Sequence, residues 1–293
     1  MRLRGWTALA AISLLCLLPP GQATASQSPA GQLLVWPEQV PQGGALFVTF
    51  TSADAATSQV EFRWQNRSWP GAASGSRYQC ALPVSYAVPA GPARVAVTGV
   101  NPQGRPFRLE AGLVVTRTRF SVQYLRLSGS QKGLYSYPGV AEEYRAIHEA
   151  LARNTAVQSW NLPFRLPVTG RLRTSYGLTR YLNGADPYRH KGVDLAAAAG
   201  TPVGTAAAGT VALARDDFRL HGQTVVVDHG LGVTSLYLHL SKVVVTPGQQ
   251  VAAGEAVGLV GATGVATGPH LHWAVYVHGV AVNPIWWTQA RYP

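Results

Sequence analysis

The sequence contains few cysteines. Cys16 and Cys80 are the two among 293 residues, and Cys16 lies inside the apolar N-terminal run. A chain that loses this run keeps one cysteine, which excludes an internal disulfide. It also excludes a structural zinc site built from several thiolates. We expect Cys80 to behave as a small buried apolar side chain.

Acidic side chains are also scarce. The sequence has 13 Asp and Glu against 24 Lys and Arg, so its formal net charge is +11. The positive charges are dispersed, without a lysine-rich tail or a basic helix, which argues against nucleic acid as the partner. A basic chain that is exported meets the anionic polymers of the cell envelope, and we expect electrostatic attraction to these polymers instead.

The N-terminal apolar run, residues 8–18, is shorter than the ~20 residues that a membrane span needs. Two arginines precede it, two prolines end it, and small residues follow at 23–25. This pattern is typical of a secretory signal peptide over residues 1–25, and the short run disfavours the alternative of an uncleaved anchor. We therefore predict export to the periplasm, the cell envelope or the medium, without stable membrane insertion after cleavage.

Residues 26–127 show short alternating or β-branched runs that are broken by glycine and proline. The clearest runs are ALFVTF (45–50), QVEFRW (59–64), ARVAVTGV (93–100) and GLVVTRTRFSVQYLRL (112–127). They predict an antiparallel sandwich of Ig-like size, in which we find no catalytic constellation. Trp64 and Trp69 leave two interpretations open, an exposed sugar-stacking surface or core positions; aromatic residues on strands favour the core.

Residues 128–159 are predicted to be a linker with one amphipathic helix. Apolar residues recur at spacings of four, three and four, which is the period of a helix face. They are Val140, Tyr144, Ile147 and Leu151. His148 lies beside this stripe, and we expect it to be a polar helix position.

Residues 160–293 are again strands and glycine-punctuated turns, with no helix predicted. Seven of the eight histidines fall between residues 190 and 278, and clustering of this kind indicates a site. Glycines recur at turn spacing, which favours a compact antiparallel sheet with tight hairpins and a groove. The whole chain is therefore predicted to be mainly β.

Two short runs contain most of the metal-competent side chains: His190-Lys191-Gly192-Val193-Asp194 and His270-Leu271-His272. In an extended strand His270 and His272 would share a face. Gly192 and β-branched Val193 disfavour a helix over the first run, which excludes a helical HExxH site. A His, Asp and His set that leaves a position for water is typical of catalytic zinc.

The chain resembles the lysostaphin-type zinc endopeptidases, which cut peptide cross-links in bacterial peptidoglycan, from about Trp160 to Trp287. The resemblance depends on ordered blocks: TSYGLTR (174–180), HKGVD (190–194), AAAGTVALA (206–214), VVVDHGLGVTSLYLHLS (225–241) and VGLVGATGVATGPHLHWAV (257–275). It implies a metallopeptidase domain that uses one Zn²⁺ per chain and acts on stem peptides and cross-bridges through a metal-activated water.

The resemblance also implies roles for particular residues. The zinc ligands would be His190, Asp194 and His272. His270 would be the general base and His239 the oxyanion donor or a positioning residue, although the two roles are exchangeable. Strand alternation alone places His239 with Tyr237 on one face, and the leucines at 236, 238 and 240 on the other, which we expect to be the core face. The residues expected to line the groove are Tyr176, Tyr181 and Asn183.

One position departs from the family pattern, because Ala274 stands where an acidic residue often follows the last ligand. We expect this change to tune the site and not to inactivate it. The alternative function is a catalytically silent envelope regulator that activates a cell-wall amidase. Such relatives usually lose ligands, whereas this chain keeps all five positions. The zinc D-alanyl-D-alanine peptidases also use His, Asp and His, but their first pair is more widely spaced.

Overall fold

A computed structural model of the chain describes residues 22–126, 128–129, 133–182 and 187–291. Residues 1–21 of the predicted signal peptide and the groove candidate Asn183 lie outside these ranges. Within the described residues no helix is both long and apolar enough to cross a membrane. The chain is mainly β, as predicted.

The N-terminal part is built from two five-stranded sheets in the described residues. The first sheet, in spatial order, contains β1 (Thr24–Ser28), β2 (Gly31–Trp36), β4 (Ala45–Ser52), β8 (Arg77–Pro83) and β7 (Ala72–Ser74). The second contains β3 (Gln39–Pro41), β10 (Pro106–Thr116), β9 (Gly91–Val100), β5 (Ser58–Trp64) and β6 (Arg67–Pro70). Apolar residues of both sheets form one common core. The Ig-like assignment of this sandwich stays a prediction.

Trp64 and Trp69 belong to this core. Trp64 is 2% exposed and its indole N–H donates to the carbonyl of Pro83 over 2.7 Å. Trp69 is 9% exposed and stacks on the ring of His278. The core interpretation is therefore confirmed, and the sugar-stacking alternative is wrong for these two rings.

The linker forms helix α1 (Val140–Leu151), in the place predicted by the apolar stripe. Ile147 and Leu151 are buried, and the helix packs on strands of the C-terminal sheet. The described residues also form a small sheet, with β11 (Val122–Leu125), β13 (Thr179–Leu182) and β14 (Tyr188–Arg189). Strand β11 pairs with β13 in parallel, so the end of the predicted N-terminal domain is hydrogen-bonded to the C-terminal part of the chain.

The C-terminal part is an antiparallel sheet of ten described strands. Its main path contains β12 (Arg171–Thr174), β15 (Val193–Ala196), β22 (Leu271–Val277), β19 (Val233–Val243), β18 (Gln223–Gly230), β17 (Gly209–Arg215) and β20 (Gln250–Val251). Three further strands attach to this path: β16 (Pro202–Gly204), β21 (Ala256–Val260) and β23 (Val280–Val282). The antiparallel sheet is confirmed.

A short helix, α2 (Pro284–Gln289), follows β23 and corrects the prediction that residues 160–293 contain no helix. The Asn283 side-chain oxygen accepts the N–H of Ile285 over 3.1 Å, and Pro284 occupies the first turn, so the local sequence caps a helix. Six residues are too few to show a periodic stripe, which is why the pattern analysis missed it.

An aromatic cluster joins the two parts of the chain. Phe47 of β4 lies with its ring centroid 5.2 Å from that of Trp160 and 5.3 Å from that of Trp287. Trp36 and Trp286 stack on the same ring, and the buried cluster continues into the C-terminal core. Apolar contacts therefore cross the predicted division between residues 26–127 and 160–293, which itself stays a prediction.

Replacing Phe47 with alanine is expected to destabilise the whole chain by about 3–5 kcal/mol, the usual cost of removing a buried phenylalanine ring. Denaturant unfolding, followed by both tryptophan fluorescence and far-UV circular dichroism, should show one shifted transition. Tyr124→Ala is the control, because Tyr124 is 76% exposed. Two separate transitions, of which only one moves in Phe47→Ala, would contradict the expectation.

Candidate metal centre

The pairing of β15 with β22 brings two candidate ligands together. Asp194 lies directly opposite His272 in this antiparallel ladder, so their side chains leave the same face of the sheet. The residues that alternate with them, Val193 and Trp273, are fully buried on the other face. Strand alternation therefore separates a polar face with the site from an apolar face with the core.

Three donor atoms of the site converge. The Asp194 Oδ1 atom lies 3.1 Å from His190 Nε2 and 3.0 Å from His272 Nδ1, and the two nitrogens are 3.1 Å apart. Atoms that bind one tetrahedral zinc at about 2.0–2.1 Å lie roughly 3.4 Å from each other. The triangle is thus close to the size that a zinc ion requires, and the three residues form the one such cluster among the described residues.

The protonation of the two imidazoles also fits a cation. The His190 Nδ1–H donates to the carbonyl of Ser175 over 3.1 Å, so Nε2 is the nitrogen that faces the cluster. Burial lowers the pKa of His272 to about 4, so this ring is neutral at pH 7. Two imidazole nitrogens and a carboxylate oxygen that converge within 3.1 Å of each other need a proton or a cation between them. The donor set therefore fits a divalent metal ion.

Asp194 is held as a carboxylate. Burial opposes its ionisation, but hydrogen bonds with His190 and His272 outweigh burial and hold the pKa of Asp194 well below its usual range. Its second oxygen, Oδ2, lies 3.4 Å from the guanidinium of Arg180. The carboxylate thus keeps its charge and its orientation before a metal binds.

His270 lies at the edge of the cluster. Its Nδ1–H donates to the carbonyl of Gly268 over 2.8 Å, and its Nε2 is 3.9 Å from Asp194 Oδ1. The ring therefore turns its Nε2 toward the ligands without being one of the three converging donors. His270 and His272 lie on one side of the sheet, as alternation predicted.

The His239 side chain also lies beside the metal cluster, but simple strand alternation does not account for its position. Two residues of β19, Leu238 and His239, lie opposite one residue of β18, and His239 has a φ of +64°, which together define a β-bulge. Its Nδ1–H donates to the carbonyl of Thr263 over 2.8 Å, and its ring centroid is 4.9 Å from that of His270. Burial is the main cause that lowers the pKa of His239 to about 3.

The bulge corrects the face assignment made from alternation. Tyr237, which was expected to share a face with His239, is fully buried and its hydroxyl accepts the N–H of Ala206. Leu236 and Leu238 instead line the cavity beside the metal cluster. The expectation was wrong for His239, because the extra residue of the bulge moves it onto the face of Leu236 and Leu238; the three leucines themselves are buried in the core, as expected.

Gly192 allows the two ligand strands to approach. A Cβ atom at this position would lie 2.4 Å from the carbonyl oxygen of Trp273 and 2.8 Å from His272 Nε2. The same Cβ would be 2.9 Å from that of Ala274, which is fully buried. A side chain at residue 192 would therefore displace the ligand strand.

A cavity of about 940 Å³ adjoins the metal cluster, and we call it the groove. Its lining includes four cationic side chains and five tyrosines, namely Arg173, Arg180, Arg189, Lys191, Tyr86, Tyr135, Tyr144, Tyr188 and Tyr276. Among the described residues that line it, Asp194 is the one acidic side chain. The groove is therefore cationic and rich in aromatic surface.

Two of the residues expected to line the groove lie elsewhere. Tyr176 is 3% exposed, and its hydroxyl donates to the carbonyl of Ala281 over 2.8 Å, so it lies in the core behind the site. Tyr181 stacks on Tyr124 on the outer face of the small sheet, with ring centroids 4.9 Å apart. The neighbouring residue Arg180 points to the metal cluster instead, because successive side chains of a strand leave opposite faces.

Several residues of the site were not found from the sequence. The Arg180 side chain donates to Gln123 over 3.0 Å and to the Tyr188 hydroxyl over 3.1 Å, besides its contact with Asp194. The block TSYGLTR contains this arginine, so its position in a motif was the available signal. His221 lines the groove and is bound by the buried Glu143.

The other histidines lie away from the metal cluster. His229 is fully buried and hydrogen-bonded to the carbonyl of Ala208 and to Ser235, while His278 forms the turn between β22 and β23. His148 lines the groove from helix α1 as an exposed polar residue.

Comparisons with known proteins agree with the site. Residues 188–284 match peptidase family M23. The chain is 35% identical over 176 residues to an uncharacterized metalloprotease of Haemophilus influenzae, covering 56% of this chain and 34% of that protein. It is 46% identical over 94 residues to the peptidoglycan DD-endopeptidase ShyA of Vibrio cholerae, covering 32% of this chain and 22% of that protein. The chain thus spans about a third or less of the length of these relatives.

A solved structure assigned to peptidase M23 of Pseudomonas aeruginosa is similar over most of both chains. The TM-score is 0.59 at 29% identity, covering 86% of this chain and 95% of that chain. The similarity extends well beyond residues 188–284, so it includes part of the N-terminal half.

Proposed function

We propose that this chain, which contains an M23 metallopeptidase domain at residues 188–284, is a zinc-dependent endopeptidase that hydrolyses peptide cross-links of bacterial peptidoglycan. The observation that carries the proposal is the convergence of His190, Asp194 and His272 within 3.1 Å, beside the two further imidazoles His239 and His270. This arrangement supplies a metal site and proton-transfer groups in one groove.

His190, Asp194 and His272 would hold the ion. A bound zinc supplies Lewis acidity, which lowers the pKa of water toward about 7 and polarises a carbonyl group. Arg180 holds the free oxygen of Asp194, and Ser175 holds the far nitrogen of His190, so the ligands are oriented by partners of their own.

His270 would transfer protons during the reaction, and His239 would assist beside it. Each ring is fixed by an Nδ1–H bond to a backbone carbonyl, so each keeps its Nε2 free for the reaction. His270 accepts the proton of the attacking water and passes it to the leaving amine. The neutral His239 ring has its one N–H on Nδ1, bonded to Thr263, so its Nε2 has no proton to donate, which supports the positioning role over the oxyanion-donor role.

The groove supports a peptide substrate with negative charge. Stem peptides carry free carboxylates, and the cationic residues at the groove complement them. The relative from Vibrio cholerae is named a peptidoglycan DD-endopeptidase, and the leader predicted over residues 1–25 would deliver the chain to the envelope, where this substrate lies. We therefore favour cross-linked stem peptides in the envelope as the substrate.

Arg173 and Lys191 are the cations expected to meet the substrate, because neither forms an ion pair or hydrogen bond among the described residues, whereas Arg180 and Arg189 are hydrogen-bonded. Arg173→Gln and Lys191→Gln should each raise KM roughly threefold with little change in kcat, as expected for one exposed charge pair. Steady-state rates on soluble cross-linked muropeptides at low and high salt test this. Arg94→Gln removes one positive charge from the N-terminal sandwich and should leave KM and kcat unchanged. An equal rise in KM in Arg94→Gln would indicate that only the net charge of the protein matters.

The decisive test of the proposed function is digestion of purified sacculi. The mature protein with zinc should release fragments with new amino termini, a chelator should block the release, and His190→Ala should be inactive. Sacculi of several cross-link chemistries identify the bond that is cut, by mass spectrometry of the products. If nothing is released, while wild type and His190→Ala stimulate a cell-wall amidase equally, the regulator alternative is correct.

A further inference from the structure

Helix α1 contains a buried carboxylate that the proposed mechanism does not use. Glu143 lies three residues after Val140 and four before Ile147, so it shares the buried face of the helix. It is 1% exposed. A charge in this position is costly unless it is fully hydrogen-bonded.

The polar contacts of the Glu143 carboxylate join it to one loop and to Tyr137, which precedes the helix. Its carboxylate accepts the backbone N–H groups of Arg219, Leu220 and His221, the last over 3.0 Å. It also accepts the His221 Nδ1–H over 2.8 Å and the hydroxyl of Tyr137. Burial opposes ionisation, but these bonds together hold the pKa of Glu143 below its ordinary value. Glu143 of the linker helix thus fixes the loop between β17 and β18, residues 216–222, which we call the clamped loop.

The clamped loop contacts the β-bulge at His239. The His221 carbonyl accepts the backbone N–H of His239 over 3.3 Å, at the residue with positive φ. The Leu220 carbonyl accepts the N–H of Val265 over 2.9 Å. The loop therefore holds both the bulge and the neighbouring segment.

That segment orients the His239 ring. The Thr263 carbonyl accepts the Nδ1–H of His239, and the Thr263 hydroxyl accepts the N–H of Gln223 at the end of the clamped loop. A continuous series of hydrogen bonds thus leads from helix α1 to the side of His239 that faces away from the metal cluster.

We propose that Glu143 is a positioning residue of the site, which fixes the 216–222 loop so that the His239 bulge and the Thr263 carbonyl keep His239 Nε2 directed at the metal centre. The inference rests on the proposed function, since it assigns to the linker helix a part in the reaction. Glu143 itself touches neither substrate nor metal.

Glu143→Gln tests this with the full chain loaded with zinc. Glutamine keeps the shape but has one acceptor oxygen instead of two, and its NH₂ group faces backbone donors. We expect kcat to fall at least tenfold, with KM changed less than twofold and zinc content unchanged. Glu142→Gln is the matched control, because Glu142 is exposed on the same helix and pairs with Arg145. It should keep the wild-type kcat.

A second measurement distinguishes positioning from general support of the fold. Imidazole ¹⁵N NMR of the metal-free and zinc-loaded chain reports the tautomer of each histidine, and the His239 signal is assigned by its absence in His239→Asn. In the wild type Nδ1 of His239 should carry the proton. In Glu143→Gln we expect the His239 signal to show tautomer exchange, while the His190 signal stays as in the wild type.

The outcomes separate the possibilities. A Glu143→Gln protein with normal kcat, or with an unchanged His239 tautomer and a kcat loss that merely follows its folded fraction, overturns the proposal. Should Glu143→Gln fail to fold, His221→Gly, which keeps the backbone donors but removes the imidazole contact, gives a milder perturbation, and an unchanged His239 tautomer and kcat there would also overturn it. If the wild type hydrolyses no sacculi, the proposed function fails, whereas the NMR measurement still tests whether Glu143 orients His239.

Discussion

Replacing Asp194 with asparagine is expected to remove the metal and the activity together. Asp194 Oδ1 is the one anionic donor in the triangle and lies within 3.1 Å of both partner nitrogens. Loss of outer-shell partners of metal ligands already costs 10–100-fold in affinity or activity, so loss of the anionic ligand should cost at least 10²-fold in affinity. Asparagine keeps the shape, so the fold should persist.

Metal content after dialysis and hydrolysis of sacculi should be measured on the same samples. His190→Ala and His272→Ala should behave like Asp194→Asn, because each leaves an incomplete donor set. Asp54→Asn, which changes an exposed acid of the N-terminal sandwich, is the control and should retain one zinc and full activity. A fully loaded Asp194→Asn or His272→Ala protein would refute the ligand assignment.

The second large effect is expected for the two imidazoles that are not ligands. His270→Ala and His239→Asn should keep zinc and the fold, yet lose on the order of 10² or more in turnover, the scale of general acid-base catalysis. Asparagine is chosen at residue 239 because it tolerates the φ of +64° better than alanine. Both variants remove an imidazole beside the metal cluster.

Rates at saturating zinc, together with zinc stoichiometry, decide this prediction. If either variant turns over at a near-normal rate while fully loaded, that histidine takes no part in the reaction. Loss of zinc in His270→Ala would instead show that His270 is a ligand, against its distance of 3.9 Å from Asp194 Oδ1.

The metal cluster was predicted from the residue types in HKGVD and HLH and from the family resemblance. Alternation placed His270 and His272 on one face, but the register that sets Asp194 opposite His272 joins two distant strands and cannot be inferred from spacing. The roles of His239 and His270 came from a resemblance and not from local pattern. Alternation failed at His239 because a bulge adds one residue to the ladder, and no feature of the run LYLHLS signals it.

Glu143 shows a signal that the sequence did contain. It interrupts an apolar helix face, yet as one of two acids in the first turn it was readily explained by the helix dipole alone. The long-range partners that make it stable, the backbone N–H groups of residues 219–221, cannot be inferred from spacing. The aromatic cluster around Phe47 could not be inferred from spacing either, because its residues lie far apart in the chain and meet only in the folded protein.

The parallel pairing of β11 with β13 bears on how this protein can be engineered. Gln123 of β11 binds Arg180, and Arg180 contacts Asp194, so a residue 65 positions before the matched family segment begins is two contacts from the candidate metal cluster. Fusion proteins that begin at residue 155 or 188 would leave that support behind. A chimera that begins before residue 120 would carry the metal cluster together with the strand that supports Asp194.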